Sequence, residues 1–585
     1  MINEIKECVF NVVNKYIEIE NIKVKIEKIQ NIQFGDYSSN VLMILKPEQD
    51  VIGKILEEIK KQKFIQENVQ KIEYKDPGFL NFFLKKESLV KNLEKVTDFD
   101  EKMFWLKDEK SFLIEHTSPN TNKPLHIGHL RNTVFAMAIV RALKALNCKV
   151  VTDCLFNDRG IHICKALFGY LKENDLEKPI NDVLDEWYNN QSKWPTPKEG
   201  EYKDSFVGKY YVLGVKYEAN EEYKKEIQWL LQEWEKGNIK VIKLWELLNG
   251  WFYDQFHTSF KLLGSYADHY WYESEFFKKA KDLAQKGLEK GVFKKLEDGA
   301  VLTQLESYGL TDDIVQRSDG TAMYFTQDLY LTKMKTEMFP SDKYVWVVGP
   351  EQKLHMKQVF AVCDQLGIGD MDKFIHLSYG AVCNKDGSKM SSRNGDVLSI
   401  MDLLSELKQA IVLKKEKEYI SLNNFSKEEQ DKIIENLSLG AIKYAILKLE
   451  KEQDLRFDLN EILDLKGNGS PYIQYTYARC FSVLEKTELN EGVVEIDRIT
   501  DEEYVLLRDF IYLKEVVEKA GINFAPNLIT NYLFELARDF NNFYEKNRIL
   551  EAEYNQMLKI NLTKSVANVL KWGLNLLGID VMHKL

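Results

Sequence analysis

The sequence predicts an α/β protein: a central parallel-sheet domain interrupted by a helical insertion, with a small α+β domain before it and an all-α bundle after it. Three observations lead there. Residues 111–156 alternate strand, turn, helix and strand in the manner of a parallel crossover. From about 170 to 250 the pattern turns aromatic, acidic and helical, and after about 405 Leu, Ile, Lys and Glu dominate with almost no strand signal. A chain of 585 residues also exceeds what one core supports, which favours several domains.

Residues 1–100 open with a helix-like pattern. FGDYSSNVLMIL then places a turn at Gly35-Asp36 before an apolar helix, and YKDPGFLNFFL places a turn at Pro77-Gly78 before an alternating strand. The central domain spans 108–404. In it Phe112, Leu113 and Ile114 form a short strand, and Phe135, Ile139, Ala142, Leu143 and Leu146 recur on one helical face. Val150 and Val151 reopen a strand, giving a Rossmann-like unit whose ligands sit at the carboxyl ends of the strands. In the insertion, Trp187, Trp194, Trp229 and Trp234 read as packing rather than as platforms for bases. The sheet resumes through RSDGTAMYFTQDLYLTK and YVWVVGPEQKLHMKQVF, and the helical bundle occupies 405–585.

Chemistry concentrates in the turn Pro119–His129, PNTNKPLHIGH. Gly128 allows close approach to a ligand, and the helix opening there presents unpaired N–H groups to an anion. His126 and His129, three residues apart and close to Lys123, make a site for phosphate and for charge growing on it. A polar helix cap would show the same residues. Downstream stands Lys389-Met390-Ser391-Ser392-Arg393, and between the two runs Tyr324 and Asp328 are spaced to share a helical face. A phenol and a carboxylate aimed into one pocket suit a guanidinium, while local hydrogen bonding is the default for any such pair. Glu273 is a weaker acidic candidate.

The net charge of −11 argues against coating nucleic acid by bulk charge but leaves local basic patches open. Runs such as Lys414-Lys415-Glu416-Lys417 read as solvated helix faces. The seven cysteines contain no Cys-x-x-Cys pair, so neither zinc spacing nor a disulfide framework is expected. Charges at Glu4, Lys6 and Glu7 interrupt any signal core, and no apolar run approaches membrane length, so a cytoplasmic protein without membrane contact is expected.

His126-Ile127-Gly128-His129 and the lysine-methionine-serine run resemble the two ATP signatures of class I aminoacyl-tRNA synthetases, and the surrounding residues resemble the arginyl-tRNA synthetases among them. That resemblance covers nearly the whole chain. It implies that ATP is held by Pro119, Asn120, Lys123, His126, Gly128, His129, Lys389, Met390, Ser391 and Ser392. Of these, His126, His129, Lys123 and Lys389 stabilise the phosphate charge, and Lys123 replaces the second lysine that Ser392 lacks. It implies an arginine pocket of Glu115, Ser118, Asn120, His126, Tyr324, Asp328 and Gln352. It makes residues 1–100 an accessory tRNA-binding domain with Asp76, Phe79 and Asn81 as contacts. The helical bundle becomes the anticodon-binding domain, with Tyr472, Gln474, Tyr475, Arg479 and Tyr544 as contacts.

The sequence departs from the family at His116, Arg159, His162 and Tyr477, and no role is carried onto Arg159 or His162. The implied activity is arginine-tRNA ligation through an arginyl adenylate, with ATP and Mg2+, L-arginine and arginine tRNA as partners, in a monomer without a structural metal. A cysteinyl-tRNA synthetase-like ligase, or a tRNA-binding paralogue without catalysis, are the alternatives. The first would need a Cys and His cluster that the sequence does not display.

Overall fold

The computed structural model describes residues 1–18, 25–29, 31–318, 324–388, 399–415, 425–463, 467–487 and 494–584. The chain divides into two compact units. One comprises Met1–Trp105, Tyr419–Tyr444 and Leu463–Leu585, the other Leu106–Glu418 and Ala445–Ile462.

In the first unit a four-stranded antiparallel sheet, in the order Ile26–Lys28, Tyr37–Ser39, Phe79–Leu84, Val69–Lys75, accompanies the helices of the first hundred residues. The turn at Gly35-Asp36 leads into the short Tyr37–Ser39 strand before the apolar helix Val41–Leu45. The N-terminal segment and the late helices, expected as separate domains, are joined by buried polar contacts. Asp36 accepts from the backbone N–H of Leu84 at 2.7 Å and from the Tyr504 hydroxyl at 2.9 Å, and pairs with Arg508 Nε at 3.1 Å. Lys28 reaches Asp509 at 3.0 Å, and Thr97 bonds Ser565 at 2.8 Å. Partners separated by more than 450 positions, as in the Thr97–Ser565 and Asp36–Tyr504 pairs, leave no local sequence trace.

The second unit holds a five-stranded parallel sheet of β1 (Ser111–Glu115), β2 (Lys149–Phe156), β3 (His269–Tyr272), β4 (Lys343–Val347) and β5 (Phe374–Leu377). Their order is β5-β4-β1-β2-β3, every neighbouring pair parallel. Connections therefore leave β1 and β4 in opposite directions. A crevice opens outside their carboxyl ends, where open sheets of this kind bind ligands.

Helix α1 (Ile127–Ala145) links β1 to β2. It is buried on nearly all sides, not on one face, because Arg131 and Asn132 point inward to backbone carbonyls: Arg131 to Ala381 at 2.8 Å, Asn132 to Val347 at 2.5 Å. Between β2 and β3 the insertion runs through five helices from Ile161 to Leu263, wider than the sequence pattern marked. Trp187 is buried in its core with Trp194, Trp229 and Trp234 packed against it, the packing role expected of them. Helices α2 (Tyr324–Met338) and α3 (Lys353–Leu366) flank β4 on its two sides in sequence.

Candidate active site

A cavity of about 930 Å³ occupies the crevice at the strand ends. Its walls come from the turn after β1 (Glu115, Ser118, Asn120), the start of α1 (His126–His129), α2 (Tyr324, Gln327, Asp328), and the segment after β4 (Val348–Gln352). Glu273, His162, His355 and Gly380–Val382 also line it.

The turn after β1 is held in an unusual shape. Thr117 has φ +50°, a left-handed conformation that a β-branched residue adopts only under constraint. Its N–H donates to Asn132 Oδ1 at 2.8 Å, and the Asn132 amide donates in turn to the Val347 carbonyl and, at 3.1 Å, to the Tyr379 hydroxyl. Asn132 thus ties the ends of β1 and β4 together at the point where the cavity opens. His116, the family departure beside it, is fully buried, stacks on Phe260 and bonds the Tyr266 carbonyl at 3.0 Å.

The two signature histidines form the cap of α1. His126 Nδ1 accepts from the Gly128 N–H at 3.1 Å, and His129 Nδ1 accepts from the His126 N–H at 3.1 Å; the rings lie 4.0 Å apart. Burial, reinforced by Lys123, pulls the His126 pKa down to about 4, and burial with His126 and Lys123 puts His129 well below its usual value. Both rings are therefore neutral at neutral pH. With Nδ1 committed as acceptor in each, the proton resides on Nε2, which leaves two N–H donors for a ligand. The residues that cap the helix and those expected to hold phosphate are thus the same.

Gly128 also leaves room for this pair of rings. A Cβ there would stand 3.0 Å from His126 Cε1 and 3.1 Å from Nδ1. Gly128→Ala is expected to displace the His126 ring and raise the ATP KM several-fold. ATP–pyrophosphate exchange at varied ATP measures this, and an unchanged KM overturns the reading.

Acidic groups gather on the opposite wall. Asp328 receives His355 Nε2 at 2.6 Å. Burial works against charge on His355, but the bond to Asp328 and its field prevail and raise its pKa. Glu273 is 3% exposed, its pKa raised to about 7 chiefly by burial, with Arg159 3.6 Å away and Asp328 among the groups opposing its charge. Arg159 is in turn held by Glu235 at 2.6 Å and lies 4.0 Å from the Phe277 ring centre. Glu115, expected in the arginine pocket, meets a cation within the chain: Lys335 of α2 contacts its Oε2. Ser118 donates to Glu115 Oε1 at 2.8 Å.

The cavity thus brings together Glu115, Ser118, Asn120, His126, Gly128, His129, Tyr324, Asp328 and Gln352. Pro119 is buried behind it, its carbonyl taken by Asn157 at 3.0 Å. Lys123 faces the Tyr211 ring at 5.1 Å instead of lining the cavity, and its charge is felt by both histidines. Lys389, Met390, Ser391 and Ser392 lie outside the described residues. The described chain resumes at Ser399, which bridges His126. Asn132, Lys335 and His355 were missed by sequence reasoning. Only His355, one helical turn after Gln352 on a segment already singled out, offered a signal.

Two nucleic-acid candidates need correction. Asn81 is buried and pairs with Ser38 at 2.7 Å. Gln474 is fully buried and donates to the Asp580 carbonyl at 2.7 Å. Both fall on the inward side of their element, so neither presents its amide to a nucleotide. Asp76 is exposed and Phe79 half-buried. Tyr475 and Tyr544 are exposed, with the Arg479 guanidinium about equidistant from their rings at 5.1 and 4.9 Å. Asn541 holds this group from beneath, accepting from Arg479 at 2.5 Å and donating to the Tyr472 hydroxyl at 2.9 Å.

Comparison with known proteins finds a family model described as tRNA synthetases class I (R), catalytic domain, over residues 93–459. An Arginyl tRNA synthetase N terminal domain matches 3–84 and a DALR anticodon binding domain matches 473–585. The arginine–tRNA ligase of Flavobacterium psychrophilum is 35% identical over 548 residues, covering 89% of this chain and 88% of its own. That of Bacteroides thetaiotaomicron is 34% identical over 536 residues, with coverages of 87% and 86%. Among solved structures, Thermus thermophilus arginyl-tRNA synthetase superposes with a TM-score of 0.80 at 23% identity over the full length of both chains, a likeness of fold.

Proposed function

This chain belongs to the arginine branch of the class I tRNA synthetases, and from that premise we propose that it joins L-arginine to arginine tRNA at the expense of ATP. The observation that carries this reading is the pairing, in one cavity, of two neutral imidazole donors at a helix N-terminus with an acidic wall of Glu115, Glu273 and Asp328.

An arginine carboxylate oxygen attacks the α-phosphorus of ATP. The bond to pyrophosphate breaks, and arginyl adenylate forms. A ribose hydroxyl of the terminal adenosine, the 2′ group in this class, then attacks the adenylate carbonyl and releases AMP. Neither step needs a protein nucleophile, so the work of the chain is alignment and charge stabilisation. His126 and His129, with the α1 N-terminus, meet phosphate charge; Lys123 adds a positive field behind them, and the Lys389 loop is assigned to the same triphosphate. ATP enters with Mg2+ riding on its phosphates as part of the substrate.

Tyr324 and Asp328 take the guanidinium, supported by Gln352 and Glu273. Glu115 takes the α-ammonium, the other cation of arginine, while Ser118 and Asn120 align the backbone of the amino acid. A monomer is the proposed state. No described helix is long and apolar enough to cross a membrane, and the cytoplasm is the proposed location. ATP–pyrophosphate exchange with arginine, with and without tRNA and against cysteine as competitor substrate, tests the reading. Exchange driven by cysteine but not arginine overturns it.

Arginine recognition is expected to weaken in acid. His355, when protonated, holds Asp328 as an ion pair in competition with the guanidinium, and Glu273 loses its charge as pH falls through about 7. Both effects have the same sign, so the arginine KM rises as pH drops below 7. His355→Gln flattens part of that slope; an arginine KM constant from pH 6 to 8 overturns the linkage.

On the tRNA side, Tyr475 and Tyr544 stack on unpaired bases, Arg479 bridges them, and Tyr472, Asp76 and Phe79 are further contacts. Tyr475→Ala and Tyr544→Ala are each expected to cost about 1–3 kcal/mol of tRNA binding, seen as a raised tRNA KM with exchange chemistry intact at saturating tRNA.

A further inference from the structure

Lys335 lies seven residues beyond Asp328 on α2, and its side chain is 1% exposed. Burying an ammonium in this way is costly unless it is paired. It faces carboxylates on two adjacent strands: it contacts Glu115 Oε2 and lies 2.8 Å from Asp153 Oδ2. Glu115 and Asp153 are register partners of β1 and β2, so parallel pairing itself delivers the two acids side by side. Trp271 of β3 donates to Asp153 Oδ2 at 2.7 Å, while Asp153 Oδ1 is buried without a partner among the described residues. On the β4 side the Trp346 ring centre is 5.3 Å from the ammonium. Burial opposes charge on Lys335, but Asp153 and Glu115 outweigh it, so the ammonium persists.

Two carboxylates against one ammonium leave a single negative charge. Of the three groups only Glu115 lines the cavity. We propose that Lys335 is a positioning residue that, shared between Asp153 and Glu115, leaves the pair one net negative charge and holds Glu115 so that this charge is offered to the α-ammonium of arginine. This rests on the assignment of Glu115 to the arginine pocket. The charge balance, rather than the lysine itself, is then what arginine senses.

The test is the arginine KM in tRNA-dependent ATP–pyrophosphate exchange by the full chain. Asp153→Asn leaves a neutral wall and raises the arginine KM by about fivefold or more with kcat little changed. Lys335→Met leaves two adjacent buried carboxylates that must share a proton and releases Glu115 from the contact that holds it, and so raises the KM by about tenfold or more. The double variant Lys335→Met with Asp153→Asn restores a single negative charge and brings the KM back to within about threefold of the parent, and Lys335→Arg stays near it. A role in packing alone predicts a double variant no better than the worse single one, and that result overturns the proposal. Should Lys335→Met fail to fold, Asp153→Asn decides: an unchanged arginine KM overturns it. Glu115→Gln separates the two levels of argument. If it leaves the arginine KM unchanged, the pocket itself is misassigned. If it raises the KM while the double variant gives no recovery, only the role of Lys335 falls.

Discussion

Replacing Asp328 with alanine is expected to lower kcat/KM for arginine by about thirtyfold or more, because on the proposed reading it leaves a buried guanidinium without its carboxylate, which costs about 2–5 kcal/mol. The residue stands four positions after Tyr324 on α2, so both side chains reach the cavity from one helical face. Its Oδ2 is engaged by His355 Nε2 at 2.6 Å, so the carboxylate faces an N–H donor. The loss should fall on arginine while the ATP KM changes little, since the proposed phosphate donors lie on α1. Asp328 has no other side-chain hydrogen bond among the described residues, so a change in thermal stability too small to explain the loss accompanies the variant. Parent-like arginine kinetics in Asp328→Ala would remove the guanidinium assignment.

The second large effect is expected at His129. Substitution by alanine removes one Nε2–H donor from the phosphate site and one acceptor from the cap of α1, because Nδ1 accepts the His126 N–H. Loss of a preorganised donor of this kind lowers kcat by about 10²–10³-fold, whereas loss of a cap costs about 1 kcal/mol of stability. The two consequences are separable: adenylate formation in single turnover reports the first and thermal unfolding the second. Since burial holds both histidines neutral in the free enzyme, the ATP dependence should show no histidine titration between pH 6 and 8. A kcat reduced less than tenfold in His129→Ala is incompatible with donation to the reacting phosphates.

Much of this was legible in the chain alone. Periodicity marked β1, α1 and β2 and the helical insertion, because alternation and the 3.6-residue repeat record which way each side chain points relative to its own element. The same local rule placed Tyr324 and Asp328 together, and His126 and His129 at a helix start. It could not show that Asn81 and Gln474 turn inward, since their sides are chosen by what packs against the element. Nor could it assign Lys335 to Glu115, 220 residues earlier in the chain, or Asp36 to Arg508. Those meetings follow from strand order, register and helix packing, which bring distant residues into contact only after the chain has folded. The sequence by itself determined the elements, the signature residues and the family resemblance. Tertiary structure alone decided the histidine tautomers, the charge balance of the acidic wall and the competitor already bound to Asp328, because each depends on burial and on partners no local pattern can name.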